Sequence, residues 1–171
     1  MEYVMSSRWS LMERFDITDS GGQLQFEARG HLGSRITVLD ASGREAAEIR
    51  KHLMTDTHEV YVDGQRMAQV RHAGIFGDKY DIESGFGRLT ARGHFDGGDY
   101  TVSRDGTVVA RLARRFSIRE KFAVDIADDE HQAFLLAVIL AIEAIHAERR
   151  QQADRGLRDD GVGGLIGRDI L

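Results

Sequence analysis

The stretch "AFLLAVILAIEAI", Ala133 to Ile145, decides the fold. Twelve of its thirteen residues are apolar, and Glu143 is the exception. As a helix it has apolar residues on every face from Ala133 to Ile142. A helix of that kind must be buried, because no face suits water. Thirteen residues span about 20 Å at 1.5 Å per residue. A bilayer needs roughly 20 apolar residues, so the stretch is too short to cross one. Its apolar partner is therefore expected to be the rest of the chain. A curled sheet with an apolar inner face would wrap such a helix and bury both. Ala133, Ala137, Ala141 and Ala144 would let strands come close on one side. Asp128 or Asp129 is placed to cap the helix start, with Gln132 three residues after Asp129 in capping-box spacing.

The strands announce themselves by glycine. Gly22, Gly43, Gly64, Gly85 and Gly106 follow one another at 21-residue intervals, each after Gly, Ser or Asp. Asp-Gly and Ser-Gly between alternating apolar residues mark tight hairpins. In three of the units the frame continues alike: Gly, three residues, Ala, one residue, an aliphatic. Those positions are Ala47 and Ile49, Ala68 and Val70, and Ala110 and Leu112. Five such hairpins imply ten or more short strands, in a sandwich or a closed barrel.

A second repeat joins the ends of the strand region. "WSLMERFDI" (Trp9 to Ile17) matches "FSIREKFAV" (Phe116 to Val124), both reading aromatic, Ser, aliphatic, any, Glu, basic, Phe, any, aliphatic. Its simplest reading is a strand opening: a basic residue outward, an aromatic inward, then alternation.

Composition bounds the function. The chain has 171 residues, a net charge of −5 and neither Cys nor Pro. Disulfides, thiol catalysis and thiolate metal sites are excluded. The acidic balance argues against a nucleic-acid binder. The first residues lack a basic-then-apolar signal pattern, so a cytoplasmic location is expected, with peripheral membrane contact left open.

No Gly-x-Ser-x-Gly elbow, phosphate loop, dinucleotide fingerprint or His-Glu-x-x-His occurs. The seven His are expected mostly at surface strand and turn positions. With no catalytic constellation to assemble, neither enzymatic activity nor a cofactor or metal is expected.

The best binding candidates are Arg111, Arg114, Arg115, Arg119 and Lys121. On a strand, Arg111, Arg119 and Lys121 would share the outer face, with Arg114 and Arg115 at a bend. Such a patch would hold an anionic headgroup or phosphate by charge-assisted hydrogen bonds. The alternative is a solvated face balanced by Glu120 and Asp125. Residues 148–171 read as a flexible, charged, Gly-rich tail after a barrel domain over 1–146 with its core helix at about 130–147. In that tail Leu165, Ile166, Ile170 and Leu171 form a candidate docking peptide for a protein partner.

Several segments carry a resemblance. "YVM" (Tyr3 to Met5), "FDITDSGG" (Phe15 to Gly22), "VLDASGREAAEIRK" (Val38 to Lys51) and the run from Tyr100 to Ile145 resemble the LURP-one-related family. That family is similar in fold to the tubby C-terminal domain and to phospholipid scramblases. The resemblance implies a mainly β (α+β) fold: a closed antiparallel barrel of about twelve strands around a central hydrophobic C-terminal helix. It also implies a binding module in which tubby domains use surface basic residues on lipid headgroups. The calcium segment of scramblases would fall at Asp125, Asp128, Asp129 and Glu130. Its Asp-x-Asn/Asp-x-Phe frame is missing, and the acids suit a helix N-terminus better.

Overall fold

A computed structural model describes residues 1–8, 14–31, 35–74, 79–115 and 121–162. Among the described residues, twelve strands precede one helix. They are β1 (Glu2–Arg8), β2 (Arg14–Asp19), β3 (Leu24–His31), β4 (Arg35–Asp40), β5 (Glu45–Lys51) and β6 (Thr57–Val62). Then come β7 (Gln65–Ala73), β8 (Lys79–Ser84), β9 (Leu89–His94), β10 (Asp99–Arg104), β11 (Thr107–Arg115), β12 (Lys121–Ile126) and α1 (Gln132–Val162). Every strand pairs antiparallel with its chain neighbours, and β1 pairs with β12 to close the barrel. Closure removes the sheet edges that an open antiparallel sheet would expose.

The glycine period maps onto this meander. All five repeat glycines lie in the hairpins β2–β3, β4–β5, β6–β7, β8–β9 and β10–β11, which an antiparallel meander places at one end of the barrel. At Asp63-Gly64 the φ angles are 51° and 74°, and at Asp105-Gly106 they are 48° and 83°. Positive φ at both central residues is what a two-residue hairpin turn needs to match strand twist. The first two hairpins solve the same problem with a longer loop. Asp19 Oδ1 accepts from the Gly21 and Gln23 amides, and Asp40 Oδ1 accepts from those of Ser42 and Arg44. The fourth hairpin departs from the pattern. There the left-handed residue is Gly87, at φ 98°, rather than Gly85.

The repeat also carries bulges. The ladder slips after Ile17, Val38, Val60 and Val102, one slip in each of the other four hairpins. A bulge bends its strand and raises the local twist, which helps a sheet curl to closure. Beside the bulges, Val38 opposes Ala28 and Ala47, Val60 opposes Ala68, and Val102 opposes Ala91 and Ala110. All five alanines are at most 3 % exposed. The repeated Ala of the sequence frame is thus an inward small residue that leaves room at the barrel axis.

The helix takes that room. Residues 133 to 142 are all buried, on every face of α1. The helix packs against β5, β6 and β7 among others. The 9-residue end repeat has a structural sense too. Its matching halves, Arg14–Ile17 and Lys121–Val124, open β2 and β12, the two neighbours of β1. Ile17 and Val124 are fully buried there.

Two expectations about the helix are corrected. The cap is His131, whose Nδ1 accepts from the Phe134 amide at 3.2 Å, not Asp128 or Asp129. The helix begins at Gln132, too late for either Asp to reach its first amides. Gln132 instead donates to the Ala127 and Glu130 carbonyls, and its Oε1 accepts from the Tyr3 hydroxyl. At the other end α1 continues to Val162, where a flexible tail was expected from residue 148. Good helix formers (Ala, Glu, Arg, Gln) fill that extension, and nothing before Gly156 interrupts them. Leu165, Ile166, Ile170 and Leu171 lie outside the described residues.

Ala141→Asp is expected to abolish the fold. The carboxylate would sit fully buried on the barrel axis, where an unpaired charge costs several kcal/mol against a total stability of roughly 5–15 kcal/mol. Circular dichroism melts check this: a cooperative transition in Ala141→Asp would contradict the enclosed-helix packing.

Candidate functional site

Strand parity splits the basic run. On β11, Ala110 and Leu112 face the core, so Arg111 and Arg115 face outward and Arg114 shares the inward parity. Arg114 and Arg115 lie inside β11, not at a bend, because the strand runs on to Arg115. Phe122 is buried, which leaves Lys121 facing out opposite Arg115. Arg119 lies outside the described residues. Arg115 is occupied: its Nη2 donates to Glu2 Oε1 at 2.6 Å. Arg114 turns to the barrel end, with its guanidinium carbon 5.7 Å from the Phe122 ring centre. One linear cluster therefore becomes three environments.

Arg111 has different neighbours, which register reveals. It opposes Thr101 on β10, and Thr101 opposes Arg92 on β9. Two pairs further along, on the same face, Ser103 opposes Thr90. On the outer wall of β9 and β10, Arg88, Thr90, Arg92, Thr101, Ser103 and Asp105 line a concavity of about 380 Å³. Arg111 stands at its β11 border. Opposed residues in antiparallel strands lie about 5 Å apart, so the Arg92 and Arg111 backbones bracket Thr101 about 10 Å from each other. Among the described residues, Arg88, Arg92 and Arg111 have no hydrogen-bond or ion-pair partner.

The chemistry of this groove is anion recognition. Three guanidinium forks can each present paired N–H donors to phosphate or carboxylate oxygens. Three hydroxyls between them can add neutral donors. Asp105 closes one end, and Asp125 faces Arg111 across β12, so cations outnumber carboxylates.

Arg88 and Arg92 were missed in the sequence, since the attention-drawing run lies 19 residues beyond Arg92. The signal was a period of two: Arg88, Thr90 and Arg92, then Thr101 and Ser103, all at outward positions.

The acidic segment disperses. Glu130 receives two hydrogen bonds from Arg104, one at 2.8 Å, while Asp125, Asp128 and Asp129 are exposed. Among the described residues no group of three His, Asp or Glu is placed to hold a metal ion. Nor is any described helix long and apolar enough to cross a membrane.

His52, His94 and His131 are exposed, whereas His58 is buried and His72 and His146 are partly buried. His58 is only 4 % exposed, and its Nε2 lies 3.7 Å from Glu148 on α1. Glu148 also binds Lys51 Nζ at 2.5 Å, which ties the emerging helix to β5 and β6. His72 stacks edge-on with Tyr80 at 5.3 Å, and His146 lies 3.1 Å from Asp96. Glu143, the one charge of the opening stretch, faces the wholly buried Tyr100, whose hydroxyl pKa is pushed well above 10 by burial and then by that charge.

With the geometry established, comparison places the chain. The model of the LURP-one-related family matches residues 1–143. The chain belongs to the LURP-one-related family. An X-ray structure of a protein from Arabidopsis thaliana is similar to it, with a TM-score of 0.65 at 19% identity. The match covers 85% of this chain and 91% of that one, and at this identity it shows the shared fold alone. Among curated proteins nothing matches.

Burial holds the His58 pKa below its ordinary 6.5, with Lys51 acting the same way and Glu148 and Asp56 opposing. Burial also lowers that of His146, opposed chiefly by Asp96. A histidine that binds protons less readily when folded stabilises the fold above its unfolded pKa. Stability is therefore expected to fall as pH drops below about 6.5, before the carboxylates titrate. Urea midpoints between pH 7.5 and 5 check this, and His58→Gln should flatten the slope.

Proposed function

We propose that this LURP-one-related barrel is a non-enzymatic binding module that holds a phosphate-bearing anion in the β9–β11 groove. The observation that carries the reading is the set Arg88, Arg92 and Arg111, unpartnered among the described residues and grouped around Thr90, Thr101 and Ser103. In a chain of net charge −5, three arginines without a direct hydrogen-bond or ion-pair partner among the described residues give this wall a locally positive field that draws anions. Arg111 is the member that the linear run contributes. Arg115 and Lys121 stand further along the same outer face and would lend longer-range attraction.

The phosphate can belong to a soluble molecule or to a lipid headgroup, and both sources meet the same donors. The test has an arm for each: pyrophosphate titrated by calorimetry, and flotation with vesicles of phosphatidylcholine alone or with a phosphoinositide added. Binding in either arm should weaken several-fold as salt rises, since exposed charges are screened over about 8–10 Å. Arg92→Glu with Arg111→Glu should weaken it at least tenfold. The exposed side chains leave the core untouched, so the variant should melt like the parent. Binding that survives the double substitution, or no binding in either arm, would refute the groove.

A further inference from the structure

A second cavity, of about 200 Å³, opens where α1 leaves the barrel. Its position and chemistry differ from those of the outer groove. Met5, Phe122 and Leu140 are buried and form an apolar floor. Phe15 of β2 and Ile36 of β4 form apolar walls. The polar groups that line it are Arg114 from β11, with Glu143, His146 and Arg150 from α1.

Close packing keeps Arg114 in place. A Cβ on Gly98 would come within 3.2 Å of Arg114 Cβ and 3.0 Å of the Phe122 ring, so the β9–β10 connection presses against both. Arg150 is exposed on the helix and makes no ion pair among the described residues.

The charge count selects a ligand class. Of the two guanidinium groups that line the cavity, that of Arg150 has no ion pair among the described residues, which leaves one positive charge for a ligand to neutralise. A phosphate dianion would overshoot that and meet Glu143. A carboxylate would match it, and its apolar body would lie on the floor and displace water from it. Sites for drug-sized ligands run to roughly 300–1,000 Å³, so this cavity suits something smaller. The helix fills the lumen below Leu140, which limits how far a chain can enter.

We infer that the helix-exit cavity is a binding site for a small monocarboxylate with an apolar body, its carboxylate on Arg150 and Arg114 and its body against Met5, Phe122 and Leu140. The site stands independently of the groove on β9–β11, since the two share no residue.

Calorimetric titration of the full chain with octanoate tests it, alongside octanol and butanoate as probes. Octanoate should bind saturably, and each of the other two at least tenfold more weakly, because one lacks the charge and the other most of the apolar body. Arg114→Gln with Arg150→Gln should cost at least tenfold. Ala147 is exposed on the cavity lip, so Ala147→Phe should obstruct the site and leave the melting transition in place. Absence of octanoate binding, equal binding of octanol, or full octanoate binding to Ala147→Phe would each overturn the assignment.

Discussion

Residues 133 to 142 offer water no polar side chain, and that single fact constrains everything around them. A helix with one apolar stripe can lie on a sheet and keep its other face wet. This one has to be enclosed. Its seven large apolar side chains, from Phe134 to Ile142, are at most 2 % exposed. Fully burying each is worth about 1.5–3 kcal/mol, so together they contribute on the order of 10–20 kcal/mol as an upper bound. That is comparable to the whole net stability of an ordinary domain. The barrel and its helix are therefore one cooperative unit, and neither half has a plausible folded state alone.

Enclosure sets demands on the strands. Twelve strands must close without an edge, curve steadily, and leave a bore about one helix wide. The 21-residue period meets these demands together. Its Gly or Asp-Gly makes the turn, its bulge adds curvature, and its inward Ala widens the bore. Val38 between Ala28 and Ala47, and Val102 between Ala91 and Ala110, show the same small-large alternation at two places on the wall. The β8–β9 unit breaks the period in both turn and bulge, yet its Ala91 keeps the inward small residue. Axial space is thus more strictly kept than turn geometry, as expected where the helix is the dominant constraint.

The parts of this fold that depend on near neighbours were legible in the sequence. Turn chemistry acts over four or five residues, and helix burial follows from a thirteen-residue run, so both could be read directly. The His131 cap could not, because it depends on where the helix starts rather than on which acid precedes it. The helical run beyond residue 148 was hidden by glycines that fall later, at Gly156 and Gly161. The groove was least legible of all. Its arginines sit on β9 and β11, and only the register through Thr101 brings Arg92 and Arg111 together. Adjacency in the chain misled in the opposite sense. Arg114 and Arg115 are consecutive, yet strand alternation sends one toward the barrel end and the other to the outer wall beside Glu2.

The filled lumen also decides where chemistry can happen. Many closed barrels bind ligands inside, because interior side chains leave a hollow. Here α1 occupies the axis, so recognition is confined to the wall and to the helix exit. The wall can offer only what outward residues provide, which is charge and hydroxyls. The exit can add apolar surface, since core residues such as Met5, Phe122 and Leu140 come within reach of a ligand there. The same burial that makes the fold cooperative thus separates the two kinds of site, and it ties the exit cavity to the seating of the helix. Any shift of α1 along the axis would move Arg150 and Glu143 relative to Arg114, whereas Arg88, Arg92 and Arg111 would keep their places on the sheet.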